Sequence, residues 1–528
     1  MSFSRRRFCA AVAGAAPVIA FSNPLAPFAA DADRGVFQHG VASGDPLPDR
    51  VILWTRVTQR DRPGLVPVKW LMARDPELRH VVRSGKVFTD AGHDFTVKID
   101  ADGLAPATTY YYRFESLGAR SPIGRTRTVP VAGVERLRLA VVSCSNYPFG
   151  YFNVYRQIAR RADLDAVLHL GDYLYEYANG TYGDGTALGR LPAPDAEIVS
   201  LADYRMRHAQ YKSDPDLQEV HRQHPFITVW DDHESTNDSW RDGAENHQPA
   251  TEGDWQVRKQ RSIQAYFEWL PIRGSAERPI YRSFRFGSLA ELAMLDTRLY
   301  AREEQSPDPA VTASPGRQLL GATQEQWLLD RLSAAKNDGI AWRLIGQQVM
   351  FAQLSASFGA SIINPDQWDG YQAARNRIFD HVEANGIDNL VVLTGDIHSS
   401  WANDLSRNPY DSSLYDPVSR SGSLGVEFVT PAVSSPGIPD PVQAAQTAAL
   451  LRFVSPHMKY IDLFQRGYVL LDVDAERVQG EWYYTPDITV QQAVDVPGPA
   501  FYAVSGSPYL TQTFTYSAPK SDAAEPAP

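Results

Sequence analysis

Four short apolar runs in this chain stop abruptly at side chains able to bind metal or move a proton. Val391-Val392-Leu393-Thr394 runs into Gly395-Asp396-Ile397-His398, and Leu139-Ala140-Val141-Val142-Ser143 into Cys144. Val167-Leu168-His169-Leu170-Gly171 runs into Asp172, with Tyr175 three residues on, and Phe226-Ile227-Thr228-Val229-Trp230 into Asp231-Asp232-His233-Glu234. Each run reads as a buried strand whose end presents polar groups on a loop, so four strand ends can feed one site.

The residue types suggest which chemistry. A carboxylate such as Asp172 can bridge two cations, whereas the Tyr175 phenol, with an ordinary pKa near ~10, is captured only by a strongly Lewis-acidic ion such as Fe³⁺. The Cys144 thiolate suits soft or borderline metals and iron, although a lone cysteine also reads as a small buried hydrophobe. Asp231, Asp232, His233 and Glu234 form a hard cluster of the kind that prefers Ca²⁺, Mg²⁺ or Mn²⁺; a solvated acidic turn is the alternative. Asp396 and His398, one residue apart, can approach neighbouring ions from one loop, His398 suiting the iron and Asp396 the harder cation. His169, inside an apolar strand, reads as a packed core residue, and His208, His221, His224, His247, His381 and His457 are given no role.

These residues need a scaffold. Strands at 137–143 and 165–170 around a helix at 151–162 make a β-α-β unit with parallel pairing. Further strands are expected at 226–230, 281–286, 289–296, 343–350, 425–430, 468–473 and 477–484. Helices are expected at 201–211, 217–221, 255–269, 323–336 (Thr323 capping, with Gln326 in a capping box) and 370–385. The polar run 403–423 reads as loop. Before the first β-α-β unit, residues 36–130 show short strands and turns at the spacing of a small β-sandwich, with Val51 to Val57 as one strand and Phe95, Val97 and Ile99 on one face of another.

The whole chain has 528 residues, of which 43% are hydrophobic and 11% aromatic, enough for two domains with real cores. Its formal charge is −11, with no basic cluster outside the first residues, which argues against nucleic acid as a partner. Ser4-Arg5-Arg6-Arg7-Phe8 followed by an uncharged run and Ala30-Asp31-Ala32 reads as a twin-arginine export signal over residues 1–32. No later stretch reaches the ~18 to 20 apolar residues of a membrane span. The expected location is the periplasm or outside the cell, with the twin-arginine export machinery as a partner. Cys9 leaves with the signal, so Cys144 can form no internal disulfide. Residues 516–528, rich in Pro, Ala and Glu, are expected to be disordered.

Taken together, the motifs resemble a known family. Gly171-Asp172-Tyr173-Leu174-Tyr175, Asp232-His233-Glu234 and Gly395-Asp396-Ile397-His398 resemble segments of the calcineurin-like and purple acid metallophosphatases. Ser143-Cys144-Ser145 stands where that larger group carries Asp-x-His, and Asp232 and Asp396 replace its Asn and first His. Those departures, with Gly44-Asp45-Pro46, His169-Leu170-Gly171-Asp172-Tyr173, Asp231-Asp232-His233-Glu234 and Gly425-Val426-Glu427-Phe428-Val429-Thr430-Pro431, are similar to the PhoD-type alkaline phosphatases.

The resemblance implies an α/β metallophosphatase sandwich flanked by helices over residues 136–515, with a small all-β sandwich in front. It implies Fe³⁺ held by Cys144, Asp172, Tyr175 and His398, and Ca²⁺ held by Asp172, Asp232 and Asp396. The implied reaction is hydrolysis of phosphomonoesters and phosphodiesters by a metal-activated water or hydroxide, with no covalent serine. Asp232 and His233 are the expected catalytic residues, His233 contacting the phosphate or protonating the leaving alkoxide. The roles of Asn237 and Gln347 stay open. A phosphodiesterase of the calcium-dependent phospholipase D type is the alternative enzyme. A calcium-dependent adhesion protein is the alternative outside enzymes, and metal content without turnover would mark it.

Overall fold

Strands apolar on both faces must be covered on both, and they are stable where parallel neighbours satisfy the backbone on each side. Leu137–Val142, Ala166–His169 and Pro225–Thr228 are buried along their whole length and pair in parallel in that order. Ala290–Met294, Trp342–Gln347, Leu390–Thr394 and Gly425–Val429 form a second all-buried parallel set. The computed structural model describes residues 35–58, 64–359 and 361–528. The export signal read from residues 1–32 lies outside the described residues.

Each parallel set is the centre of a larger sheet, one of ten strands and one of seven. Because strand side chains alternate, Val391 and Leu393 point into the core shared with Leu139, Leu168 and Ile227 of the ten-stranded sheet. Leu390 and Val392 point the other way, into a core built with helices Gly321–Asn337, Gln372–Ala384 and Pro441–Val454. Helices Asn153–Ala159 and Leu201–Lys212 cover the ten-stranded sheet, adding Ile158, Tyr204 and Tyr211 to its core. The result is the expected α/β sandwich flanked by helices. Full burial of each such Leu or Val contributes about 1.5–3 kcal/mol, which is why these runs set the layer order.

The described residues before 130 add a small β layer with a core of Leu53, Val68, Met72, Val97, Ile99 and Tyr112. One of its two sheets is continuous with the large one, because Val41–Gly44 pairs in parallel with Pro225–Thr228. Ser43-Gly44-Asp45-Pro46 makes this join. A side chain at Gly44 would meet the Pro271 carbonyl oxygen at 2.3 Å. The buried Asp45 carboxylate accepts from Arg282 Nη2 at 2.6 Å and Nε at 2.9 Å, and from the Arg273 backbone N–H at 2.7 Å.

Three local expectations are corrected. Part of the 403–423 run is strand: Ser400–Leu405 pairs with Gly425–Val429 and Met458–Asp462. Two of its buried polar side chains find partners, Asn403 Nδ2 donating to Glu427 at 3.0 Å and Asp404 Oδ2 accepting from Tyr415 at 2.8 Å. The 321–337 helix starts before Thr323, with Leu320 at its N-cap. Residues 517–528 lie against the fold. Gln223 exchanges hydrogen bonds with the Ala527 backbone at 2.9 and 3.0 Å, and Tyr111 donates to the Glu525 carbonyl at 2.5 Å.

Candidate metal centre

The C-terminal ends of both parallel sets converge, the place where open α/β sheets bind ligands. The loops interlock through backbone. Cys144 N–H donates to Gly171 O at 3.1 Å, Ser145 N–H to Asp172 O at 2.8 Å, and Ser434 N–H to Cys144 O at 3.2 Å. Such close approach requires glycine: a Cβ on Gly171 would lie 2.4 Å from the Asp231 Cβ, and one on Gly395 2.8 Å from the Ser143 Cβ. Cys144, Asp172, Asp396 and His398 all adopt left-handed backbone, with φ of 64°, 55°, 67° and 54°. Strain of this kind is kept only where surrounding structure enforces it, and it concentrates at functional sites.

Cys144, Asp172 and His398 each offer a ligand atom within 4.8 Å of the others. The Tyr175 hydroxyl donates to Asp172 at 2.8 Å, lies 3.0 Å from His398 Nε2, and accepts from Ser435 Oγ at 2.7 Å. His398 Nδ1 sits 3.0 Å from the Pro436 carbonyl, so it carries the hydrogen and Nε2 turns its lone pair to the cluster. All four side chains are buried. A thiol, a phenol, a carboxylate and an imidazole converging away from water suit a trivalent or borderline cation.

Two further groups share residues with the first: Asp172, Asp232 and His233, then Asp231, Asp232 and Asp396. So much negative charge in the interior is costly. Burial, reinforced by Asp232, Asp396 and Asp172, holds the Asp231 carboxyl well above the usual range, although Arg298 opposes this. Arg298 is fully buried and donates to Asp231 at 2.5 Å, Asp366 at 2.7 Å and Asp396 at 2.8 Å. Gln367 donates to the other Asp396 oxygen at 2.7 Å. Glu234 holds two loops together, accepting from the backbone N–H groups of Asp172, Tyr173 and Asp231 at 3.2, 2.5 and 2.8 Å. Burial, then the Asp172 charge, pushes its carboxyl up to about 8.

His233 lies beside the carboxylates, its Nδ1 2.7 Å from Glu176. Burial lowers its pKa, but Glu176, Asp232 and Asp172 outweigh this and raise it to about 9. Glu176 is fixed by the Asn237 backbone N–H at 2.8 Å and by Thr236 and Asn246, each at 3.2 Å. Tyr175 packs against the His233 ring at 4.2 Å between centroids, and Tyr182 lies nearly parallel to it at 6.2 Å.

All the residues singled out from the strand ends are therefore brought together, and two others are not. The Asn237 side chain turns to Glu245 at 3.0 Å, and Gln347 bonds Thr394 at 2.6 Å and Trp368 at 3.1 Å inside the sheet. His169 is a core residue, bonded to Tyr155 at 2.9 Å. Sequence reasoning missed Arg298, Asp366, Gln367, Glu176 and Tyr182. Arg298 had a signal of the same form as the others, since it follows the apolar strand Ala290–Met294. Asp366 and Tyr182 sit in irregular loops with none.

Residues 139–482 match the family described as PhoD-like phosphatase, and residues 22–130 match the PhoD-like phosphatase N-terminal domain. Alkaline phosphatase D of Bacillus subtilis (strain 168) is 35% identical over 515 residues, covering 92% of this chain and 85% of that protein. A solved structure described as that of PhoD superposes with a TM-score of 0.83 at 34% identity, covering 93% of this chain and 94% of the other. With metal-capable clusters at the strand ends and matches over both parts of the chain, the protein belongs to the PhoD-like phosphatase family and is a phosphoric ester hydrolase of the alkaline phosphatase D type.

Proposed function

We propose that the protein is an exported, metal-dependent alkaline phosphatase acting on phosphomonoesters and also accepting phosphodiesters. The observation that carries this is the chain of three buried donor groups, Cys144, Asp172 and His398 joined through Asp172 to Asp232 and His233, and those joined through Asp232 to the carboxylates of Asp231 and Asp396. Cys144, Asp172, Tyr175 and His398 would hold Fe³⁺, and Asp172, Asp232 and Asp396 would hold Ca²⁺, with Arg298 balancing the remaining carboxylate charge. When bound, the cations supply charge neutralisation at the phosphoryl group and a nucleophile from water.

The chain's own residues do the rest. The left-handed turns at Cys144, Asp172, Asp396 and His398 hold the donors in place before substrate arrives, so no reorganisation is needed at the moment of reaction. Glu176 engages His233 Nδ1 and stabilises the imidazolium, leaving Nε2 to contact the phosphate and pass a proton to the departing alkoxide. The Asp232 carboxylate is held by the His233 backbone N–H on Oδ1 at 3.1 Å and by the Asp238 backbone N–H on Oδ2 at 2.7 Å.

The test is metal analysis and visible absorption of the purified protein, with aryl-phosphate hydrolysis before and after chelation. Iron with a tyrosinate charge-transfer band, calcium, and chelator-sensitive turnover are expected. Zinc in place of iron, or turnover indifferent to chelator, would refute the ligand assignment. Turnover of the aryl diester exceeding that of the monoester would favour a dedicated phosphodiesterase. Export is tested by cell fractionation of the chain with Arg5 and Arg6 both changed to Lys, which should stay in the cytoplasm.

A further inference from the structure

Helix Pro441–Val454 buries one stripe, Ala444, Ala448, Leu451 and Val454, against the seven-stranded sheet. The opposite stripe is also apolar. Val442, Leu450 and Phe453 are 64%, 55% and 76% exposed, and their spacing, with Ala449, keeps them on one face about 16 Å long that is interrupted only by Gln446. Phe358, 61% exposed on a neighbouring loop, places its ring 6.0 Å from that of Phe453 and extends the patch. Solvated helices normally carry charge here, yet these fourteen residues include no acid and a single base, Arg452, in a chain of net charge −11.

Cations flank the apolar side chains. Arg452, Arg420 and Lys459 line one pocket of about 630 Å³ with Phe453 at its lip. Arg420 is held toward Thr511 at 3.0 Å, and Lys459 pairs with the buried Asp404 at 3.1 Å. Arg452 makes no hydrogen bond or ion pair among the described residues. Outward-pointing Phe, Leu and Val beside basic side chains are the arrangement of a helix that lies in the interface of an anionic bilayer, apolar groups in the acyl boundary and cations at the headgroup phosphates. A second copy is the rival occupant, because in an isologous pairing residue i of one copy meets residue j of the other; the cations beside the patch favour the anionic bilayer, and self-association is read out separately in the test.

We propose that this face seats the protein on the surface of anionic membranes. The helix begins five residues after Pro436, whose carbonyl orients His398, so the docked surface would lie beside the loop that shapes the metal centre. The docking itself does not depend on the phosphatase assignment.

The test is co-sedimentation of the full chain with vesicles of phosphatidylcholine containing phosphatidylglycerol, and with phosphatidylcholine alone, at low and high salt. Binding is expected to the anionic vesicles and to weaken with salt. R452E should weaken it about 30-fold, because each charge unit at such a surface changes affinity about fivefold. The double variant L450S/F453S should weaken it at least tenfold. Aryl-phosphate turnover of both variants should stay within twofold of the parent, which establishes that they are folded with an intact centre. Absence of binding to anionic vesicles would overturn the proposal. So would binding that both variants retain, or a self-association that both variants abolish without any vesicle binding.

Discussion

His208 offers a sharp test of how this interior handles titratable groups. Neither of its ring nitrogens has a hydrogen-bond partner among the described residues, and it stacks on Trp269 at 6.3 Å with Lys212 nearby. Burial first, then Lys212, drives its pKa down to about 3. The unfolded chain binds its proton with a pKa near ~6.5, so below that pH the unfolded state holds more protons than the folded one. The folded state is therefore penalised as pH falls through the window from about 7 toward 3. At pH 5.5 the cost is on the order of 1 kcal/mol, and at pH 8 it is near zero. His208→Leu removes this cost along with an unsatisfied buried group. The variant should equal or exceed the parent in stability at pH 8, and its advantage should grow by about 1 kcal/mol at pH 5.5. Urea unfolding followed by tryptophan fluorescence at both pH values measures this, and comparing parent with variant cancels the titration of all other groups. A stability difference independent of pH would refute the reasoning, because it would mean the folded state protonates His208 as readily as water does. His39, His169, His224 and His457 are also held at about 3, chiefly by burial, so the same argument applies to each.

Cys144→Ala should lose iron colour and hydrolytic activity together, read by visible absorption and aryl-phosphate assay; full activity without the thiol would remove Cys144 from the ligand set. Glu176→Gln should keep the metal content but lower kcat by about 10²-fold, most for poor leaving groups, with little change in KM, since it loosens the group that charges and orients His233. Gly171→Ala would force a methyl to within 2.4 Å of Asp231 at a φ of 100°, and a loss of about 2–4 kcal/mol is expected, seen as a lowered thermal midpoint with reduced metal retention.

Much of the architecture was readable because its signal is local. Val391 to Thr394 shows as a strand from its own composition, and Asp396 and His398 show as site residues because polarity begins where the apolar run stops. The same holds for Cys144, Asp172 and Asp232. The 400–405 strand was hidden because Asn403 and Asp404 look like loop until Glu427 and Tyr415 are seen beside them. The 517–528 segment was read from composition as free, and its contacts are with Gln223 and Tyr111, hundreds of residues away.

The sequence by itself determined most strands and helices, the small β layer and which strand ends carry metal-capable groups, because each is written in neighbours within about ten residues; the two-sheet frame was legible only through the family resemblance. Only the tertiary structure decided that Arg298 meets Asp396, 98 residues on, that Glu176 engages His233, and that Tyr175 meets His398 across 223 residues. It also decided the left-handed turns at Cys144, Asp172, Asp396 and His398, since Asp and His only tolerate that backbone better than most residues and no local preference imposes it. The interlocked loops impose it, and they meet only once two sheets have packed face to face.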